Sequence, residues 1–190
     1  MKKSQTEIIE IPQLKIGTLI LNIKGDTALI VHKWAAKAKK AIQDKGEGKP
    51  IQGRVKRNPE NEYKDCFYNH PDGGYGFPAI AFKNAAVRAA KDAGINMTDA
   101  RRMFHINNEF VKIEGTPSMR EDMVRVATGG ADIRYRPEFK EWSTELIIEF
   151  NSTVISAEQI TNLFYLAGFG VGVGDWRPEK NGNFGKFSIV

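Results

Sequence analysis

The chain has 190 residues, 41% of them hydrophobic and 27% charged, with a formal net charge of +5. That length and balance suit one domain with enough chain to bury a core, and they exclude a disordered chain. A single cysteine, Cys66, excludes a disulfide framework and a multi-cysteine zinc site, and no apolar run nears the roughly 20 residues of a bilayer span.

The opening Met1-Lys2-Lys3-Ser4-Gln5-Thr6-Glu7 lacks the apolar core of a secretory signal, so the expected setting is the reducing cytoplasm, without a membrane. Residues 14–24 are apolar and β-branched on both faces and predict a central strand. Asp26-Thr27 can then cap a helix through about Gln43, with Leu29, Val31, His32, Ala35 and Ala36 near its start. From Asp44 to Gly76 glycine, proline, asparagine and charge predominate without a period, which predicts a long loop or insertion. Phe82, Ala85, Ala86, Ala89, Ala90 and Ala93 then follow a helical spacing, an alanine stripe ending at Gly94. A short helical turn capped by Thr98 or Asp99 and a strand over 104–114 come next.

Residues 123–139 predict a hairpin turning near Gly129-Gly130, in which Ile133, Tyr135 and Phe139 alternate with Arg134, Arg136 and Lys140. Thr144–Phe150 is a strand with Leu146, Ile148 and Phe150 on one face. Ser156 and Gln159 form a capping box for a helix whose stripe is Ile160, Leu163, Phe164 and Ala167, closed by Gly168. A strand over 184–190 ends the chain. Without insertions at about 25–76 and 115–142, the order is strand, helix, strand, strand, helix, strand. This predicts an α+β chain: one domain over 1–190 with a ferredoxin-like βαββαβ (RRM-like) core.

Charge is concentrated between Lys33 and Arg57, where nine cations face two carboxylates; this local +7 leaves −2 for the rest of the chain. Such a block either attracts a polyanion or keeps a helical face solvated. The chain has no phosphate-binding G-x-x-x-x-G-K-[ST] loop, no nucleophile elbow and no H-E-x-x-H, and its three histidines have no ligand-spaced partner. The sequence therefore names no catalytic residue, cofactor or metal ligand. Glycines alternate at Gly168, Gly170, Gly172 and Gly174, ahead of Trp176 and Arg177. Read as a strand, this segment has one face stripped of side chains. Either it packs on the alanine-faced helix, or it offers bare amides to a phosphate backbone while Trp176 stacks and Arg177 supplies charge. At Tyr75–Arg88 a glycine and proline lead into a helix N-terminus with Lys83 and Arg88 nearby.

The segment Gly76-Phe77-Pro78-Ala79-Ile80-Ala81-Phe82-Lys83-Asn84-Ala85-Ala86-Val87-Arg88 resembles the "I-P-G-S-S-L-K-G-A-L-R" helix-opening motif of the RAMP superfamily, the RNA-binding subunits of CRISPR effector complexes. The stretch 168–187, ending Phe184-Gly185-Lys186-Phe187, resembles the C-terminal glycine-rich loop of that superfamily. Ala79-Ile80-Ala81 stands where the motif carries hydroxyls. The resemblance implies a non-enzymatic protein that self-assembles along single-stranded RNA, antiviral defence as its setting, and other effector subunits as possible partners. It implies that Lys83 and Arg88 face the RNA, and that the 115–142 insertion with Arg134 and Arg136, or 44–76, reaches a neighbouring subunit. The basic block adds Lys33, Lys37, Lys40, Arg54, Lys56 and Arg57 along the strand. Three other readings are open: a viral single-stranded DNA-binding or annealing protein, a RAMP-mimicking inhibitor, and a metal-dependent nuclease using scattered aspartates.

Overall fold

A computed structural model describes residues 11–34, 42–49, 56–125 and 129–190. Among these residues the fold is α+β, with three antiparallel sheets. The main sheet has the order β10-β1-β9-β5, formed by β1 (Ile16–Gly25), β5 (Phe104–Ile106), β9 (Ser143–Asn151) and β10 (Phe187–Ile189). Strand alternation turns Leu21, Ile23, Leu146, Ile148 and Phe150 to one face, where all are buried. That face is covered by α2 (Ala79–Ala89) and α4 (Ala157–Leu166). Phe82, Phe104, Phe164 and Phe187 interlock edge to face in this layer. Burying each such ring contributes about 1.5–3 kcal/mol. β1 is central, as expected, but among the described residues only one of its faces is covered: Ile20 on the other side is 56% exposed.

Two predicted helices form where their local signals are complete. Ser156 Oγ accepts the Gln159 N–H and Gln159 Oε1 accepts the Ser156 N–H, so both halves of the capping box are made. On α2 Ala79, Ala85, Ala86 and Ala89 are buried, and lacking bulk they bring the helix close to its neighbours. α2 opens directly from β4 (Tyr75–Pro78), with Pro78 at the N-cap and the Ala79 N–H bonded to Glu109 O at 3.0 Å. The helix is shorter than its alanine pattern: it ends at Ala89, and the chain turns onward through Gly94 at φ +75°.

Other expectations are corrected. Residues 29–30 form a strand, β2 (Leu29–Ile30), instead of the start of a helix. They pair with Phe139 and Glu138 of β8 (Ala131–Phe139). Leu29, Ile30 and Val31 are buried in succession, which an extended segment between layers allows and one helical face does not. Thr27 caps no helix there: its hydroxyl accepts the Lys186 N–H at 3.0 Å. Residues 42–46 are helical, and the segment before them lies outside the described residues.

The expected loop over 44–76 contains α1 (Pro59–Asp65), capped by Asn58, and the hairpin of β3 (Tyr68–Asn69) with β4. The expected strand over 104–114 divides: β5 joins the main sheet, while β6 (Phe110–Ile113) pairs with β4 in another. Ahead of both, α3 (Met97–Met103) leads directly into β5, and Asn96 is its cap rather than Thr98 or Asp99. β7 (Pro117–Arg125) and β8 pair over nine residues each and form the predicted hairpin, with Gly129 at φ +86° near the turn.

Candidate nucleic-acid interface

The extended segment 31–34, the start of α1 and the outer edge of β8 enclose an open cleft of about 790 Å³. Lys33, Lys56, Arg57, Arg134 and Arg136 all line it, so cations from two distant parts of the sequence converge here. Trp34, 56% exposed, stands at the same cleft, as does His32. Lys33 lies 5.9 Å above the Tyr68 ring. Arg57 fastens α1 to the hairpin by bonds to Glu62 at 2.7 Å, Asp132 at 2.6 Å and Ile133 O at 2.5 Å. The Glu62 bond, aided by Asp132 and opposed by burial, raises its pKa further, so this guanidinium is permanently charged. Cys66 borders the cleft with its thiol against Tyr135 O at 3.6 Å, and burial pushes that thiol up to about 11. It is an inert packing group at neutral pH. Cations that are exposed (Lys56) or half-exposed (Lys33, Arg134), beside an exposed indole, can hold phosphates and stack a base.

Arg136 is a different case, and the expectation that it touches nucleic acid is corrected. It is 1% exposed and donates to Asp122 and Asp175, each at 2.7 Å. Its guanidinium also sits 4.5 Å from the centre of the Trp176 ring. Arg120 approaches that ring at 5.5 Å and is itself bonded to Asp122 and Glu138. Trp176 is thus engaged by two arginines of the hairpin, and its expected stacking on a base is replaced by these internal contacts.

His32 Nδ1 lies 3.3 Å from Asp175 Oδ2. Burial alone would raise the Asp175 carboxyl, but hydrogen bonds from His32 and Arg136 outweigh it and hold it below the ordinary carboxylate range. A depressed folded value means that the stabilisation is complete above the unfolded value of about 3.9 and fades as pH falls through the lower folded one. Asp175→Asn is therefore expected to cost stability at neutral pH and to flatten the acid limb below about pH 4, followed by circular dichroism.

The glycine-rich segment is not a strand. Residues Ala167–Val171 continue α4 as a π-turn, and Gly172, at φ +69°, closes it instead of Gly168. A Cβ on Gly168 would stand 1.9 Å from Phe187 O, and one on Gly174 2.6 Å from Ile30 O, whereas Gly170 faces open space. The amides of Gly172, Val173 and Asp175 are bonded to Ala167 O, Gly185 O and Ile30 O. Close packing accounts for Gly168 and Gly174, and these three amides are not free for a phosphate.

The segment does lie against α2, across a cavity of about 150 Å³ lined by Asn84, Arg88, Gly172, Gly174 and Arg177. Arg88 and Arg177 meet there on one carboxylate, Glu179. Lys83 does not join them: its ammonium contacts His105 Nδ1 at 3.0 Å, and burial lowers its pKa. Positions five apart on a helix are rotated by about 140°, so Lys83 and Arg88 serve different surfaces.

Lys37, Lys40 and Arg54 lie outside the described residues. Sequence reasoning passed over Trp34, Arg120 and Glu179. Trp34 was the findable one, an aromatic inside the basic block.

The uncovered face of the main sheet presents Thr18, Ile20 and Asn22 opposite Glu149, Ile147 and Glu145. Those side chains include no aromatic ring and two carboxylates, so this part of the sheet cannot stack bases as RRM sheets do. Among the described residues no cluster of three or more His, Cys, Asp or Glu could hold a metal, and no helix is long and apolar enough to cross a membrane.

No family model matches the sequence, and no curated protein matches it. Among solved structures, the chain is similar to the crystal structure of Cmr6 from Pyrococcus furiosus, at 10% identity and a TM-score of 0.49, over 94% of this chain and 100% of that one. At this identity and TM-score the likeness transfers no residue's role to this chain.

Proposed function

We propose that this chain is a non-enzymatic, RAMP-like protein that binds single-stranded nucleic acid, with RNA the favoured polymer, and self-assembles along the strand as a cytoplasmic component. The observation that carries the reading is the cleft: Lys33 and Lys56 from one side and Arg134 from the β8 edge converge beside an exposed Trp34. These groups suit a phosphate backbone and one stacked base, without base-specific readout. A single domain on a ferredoxin-like core is part of the proposal, supported by the strand order β10-β1-β9-β5 with α2 and α4 on one face.

The test is fluorescence anisotropy with matched RNA and DNA oligonucleotides over a salt series. Replacing Lys33, Lys56 and Arg134 together by glutamine is expected to weaken binding roughly tenfold to a hundredfold. It should also flatten the log–log salt slope by about 2, because three phosphate contacts are lost. Equal affinity of wild type and triple variant would reject the cleft. A preference for DNA would move the reading to a single-stranded DNA-binding protein, and sedimentation that fails to grow with strand length would reject self-assembly.

A further inference from the structure

We infer that Glu179 is a built-in competitor for phosphate, occupying an anion site formed by Arg88 and Arg177 until a multivalent polyanion displaces it. This inference rests on the nucleic-acid reading above and adds a regulated second contact point, separate from the cleft. Glu179 lies on a short 3-10 turn, Pro178–Lys180, that follows Arg177. One carboxylate oxygen accepts from Arg88 Nη1, on the last turn of α2. The other accepts from Arg177 Nε at 3.1 Å and lies 2.9 Å from Nη2. Arg177 is held in place by a further bond from Nη1 to Gly174 O at 3.1 Å. Two guanidinium groups carried by separate elements thus converge on one carboxylate, as they would on a phosphoryl group.

The adjoining cavity of about 150 Å³, bordered by Asn84, Gly172 and Gly174, gives an incoming group space. That is several times a water's share of about 30 Å³, so entry does not require α2 to move. With Glu179 in place the three side chains sum to one positive charge, and with Glu179 displaced the arginines present two. Burial would push the Glu179 carboxyl up, yet its bonds to Arg88 and Arg177 outweigh this and hold it down, so it remains an anion at neutral pH. The side chains of Arg177 and Glu179 are each 25% exposed, which leaves the pair within reach of a ligand and weakens it enough to exchange.

The test compares wild type with Glu179→Gln, which keeps shape and removes charge. Two probes are used: inorganic tripolyphosphate by calorimetry and a single-stranded RNA oligonucleotide by anisotropy. The variant is expected to bind both roughly three- to tenfold more tightly. Its salt slope on RNA should steepen by about 0.7, one further phosphate neutralised. Adding Arg88→Gln should abolish the gain. If Glu179→Gln binds both probes no better and merely unfolds at a lower temperature, Glu179 only fastens the loop to α2 and the inference is overturned. Should that variant fail to fold, Glu179→Asp retreats from one arginine and is expected to show part of the gain; unchanged affinity there overturns the inference equally. Tighter tripolyphosphate binding in a protein that ignores RNA would sustain the site while rejecting the nucleic-acid reading.

Discussion

Arg136→Met is expected to destabilise the protein by about 3–5 kcal/mol, the usual consequence of removing one member of a buried ion pair. Asp122 is the reason. Its side chain is 6% exposed and lies 2.7 Å from the Arg136 guanidinium, and Arg120 is its other cationic partner. Without Arg136, Asp122 keeps a buried charge only half-compensated, and Asp175 loses the bond that ties the segment after the glycines to the hairpin. Urea unfolding measures the loss. Asp122→Leu added to Arg136→Met should restore much of the stability, because removing both charges removes the unmet desolvation cost. A variant that remained fully stable yet lost nucleic-acid binding would return Arg136 to the surface role that its alternation in the sequence suggested.

That alternation shows where sequence reasoning stops. On β8, Arg134 and Arg136 share one face by strand periodicity, and the sequence treats them alike. The structure separates them because Trp176 and Asp175, contributed from far along the chain, cover Arg136 and leave Arg134 half-exposed. Elements whose signals lie within a few residues were legible: the capping box of α4, the alternation of β9, the alanine stripe of α2. Elements decided by long-range partners were not. β2 is two residues long and exists because Phe139 and Glu138 stand beside it. α1 did carry a local signal, Asn58 capping ahead of Pro59, but it was obscured by the charged and glycine-rich segment around it. The candidate site was legible as a stock of cations and illegible as geometry. Lys33, Lys56 and Arg134 meet only because β8 and the segment following β2 adjoin, whereas Lys83 and Arg88, neighbours in one motif, face different surfaces.

Gly168→Ala and Gly170→Ala, two residues apart in the same alternating stretch, are expected to behave in opposite ways. A methyl group at Gly168 would have to occupy a point 1.9 Å from Phe187 O, which is backbone and cannot swing aside. Either β10 is displaced from the edge of the main sheet or the π-turn is forced away from it, and Phe187, 1% exposed, is drawn out of the core in both cases. A loss of about 3 kcal/mol, at the upper end of overpacking costs, is the expected result. At Gly170 nothing stands within 4 Å of the added carbon, and its backbone is helical. There alanine restricts the unfolded chain more than the folded one and should stabilise by about 0.4–1 kcal/mol. Thermal and urea unfolding of the two variants, read beside RNA affinity, separates the two explanations of the glycines. If their purpose were a bare surface for a phosphate backbone, the open position would be the sensitive one for binding, and Gly170→Ala would weaken RNA affinity without any loss of stability. Packing against β10 requires the reverse: Gly168→Ala loses stability, and Gly170→Ala binds as the wild type does.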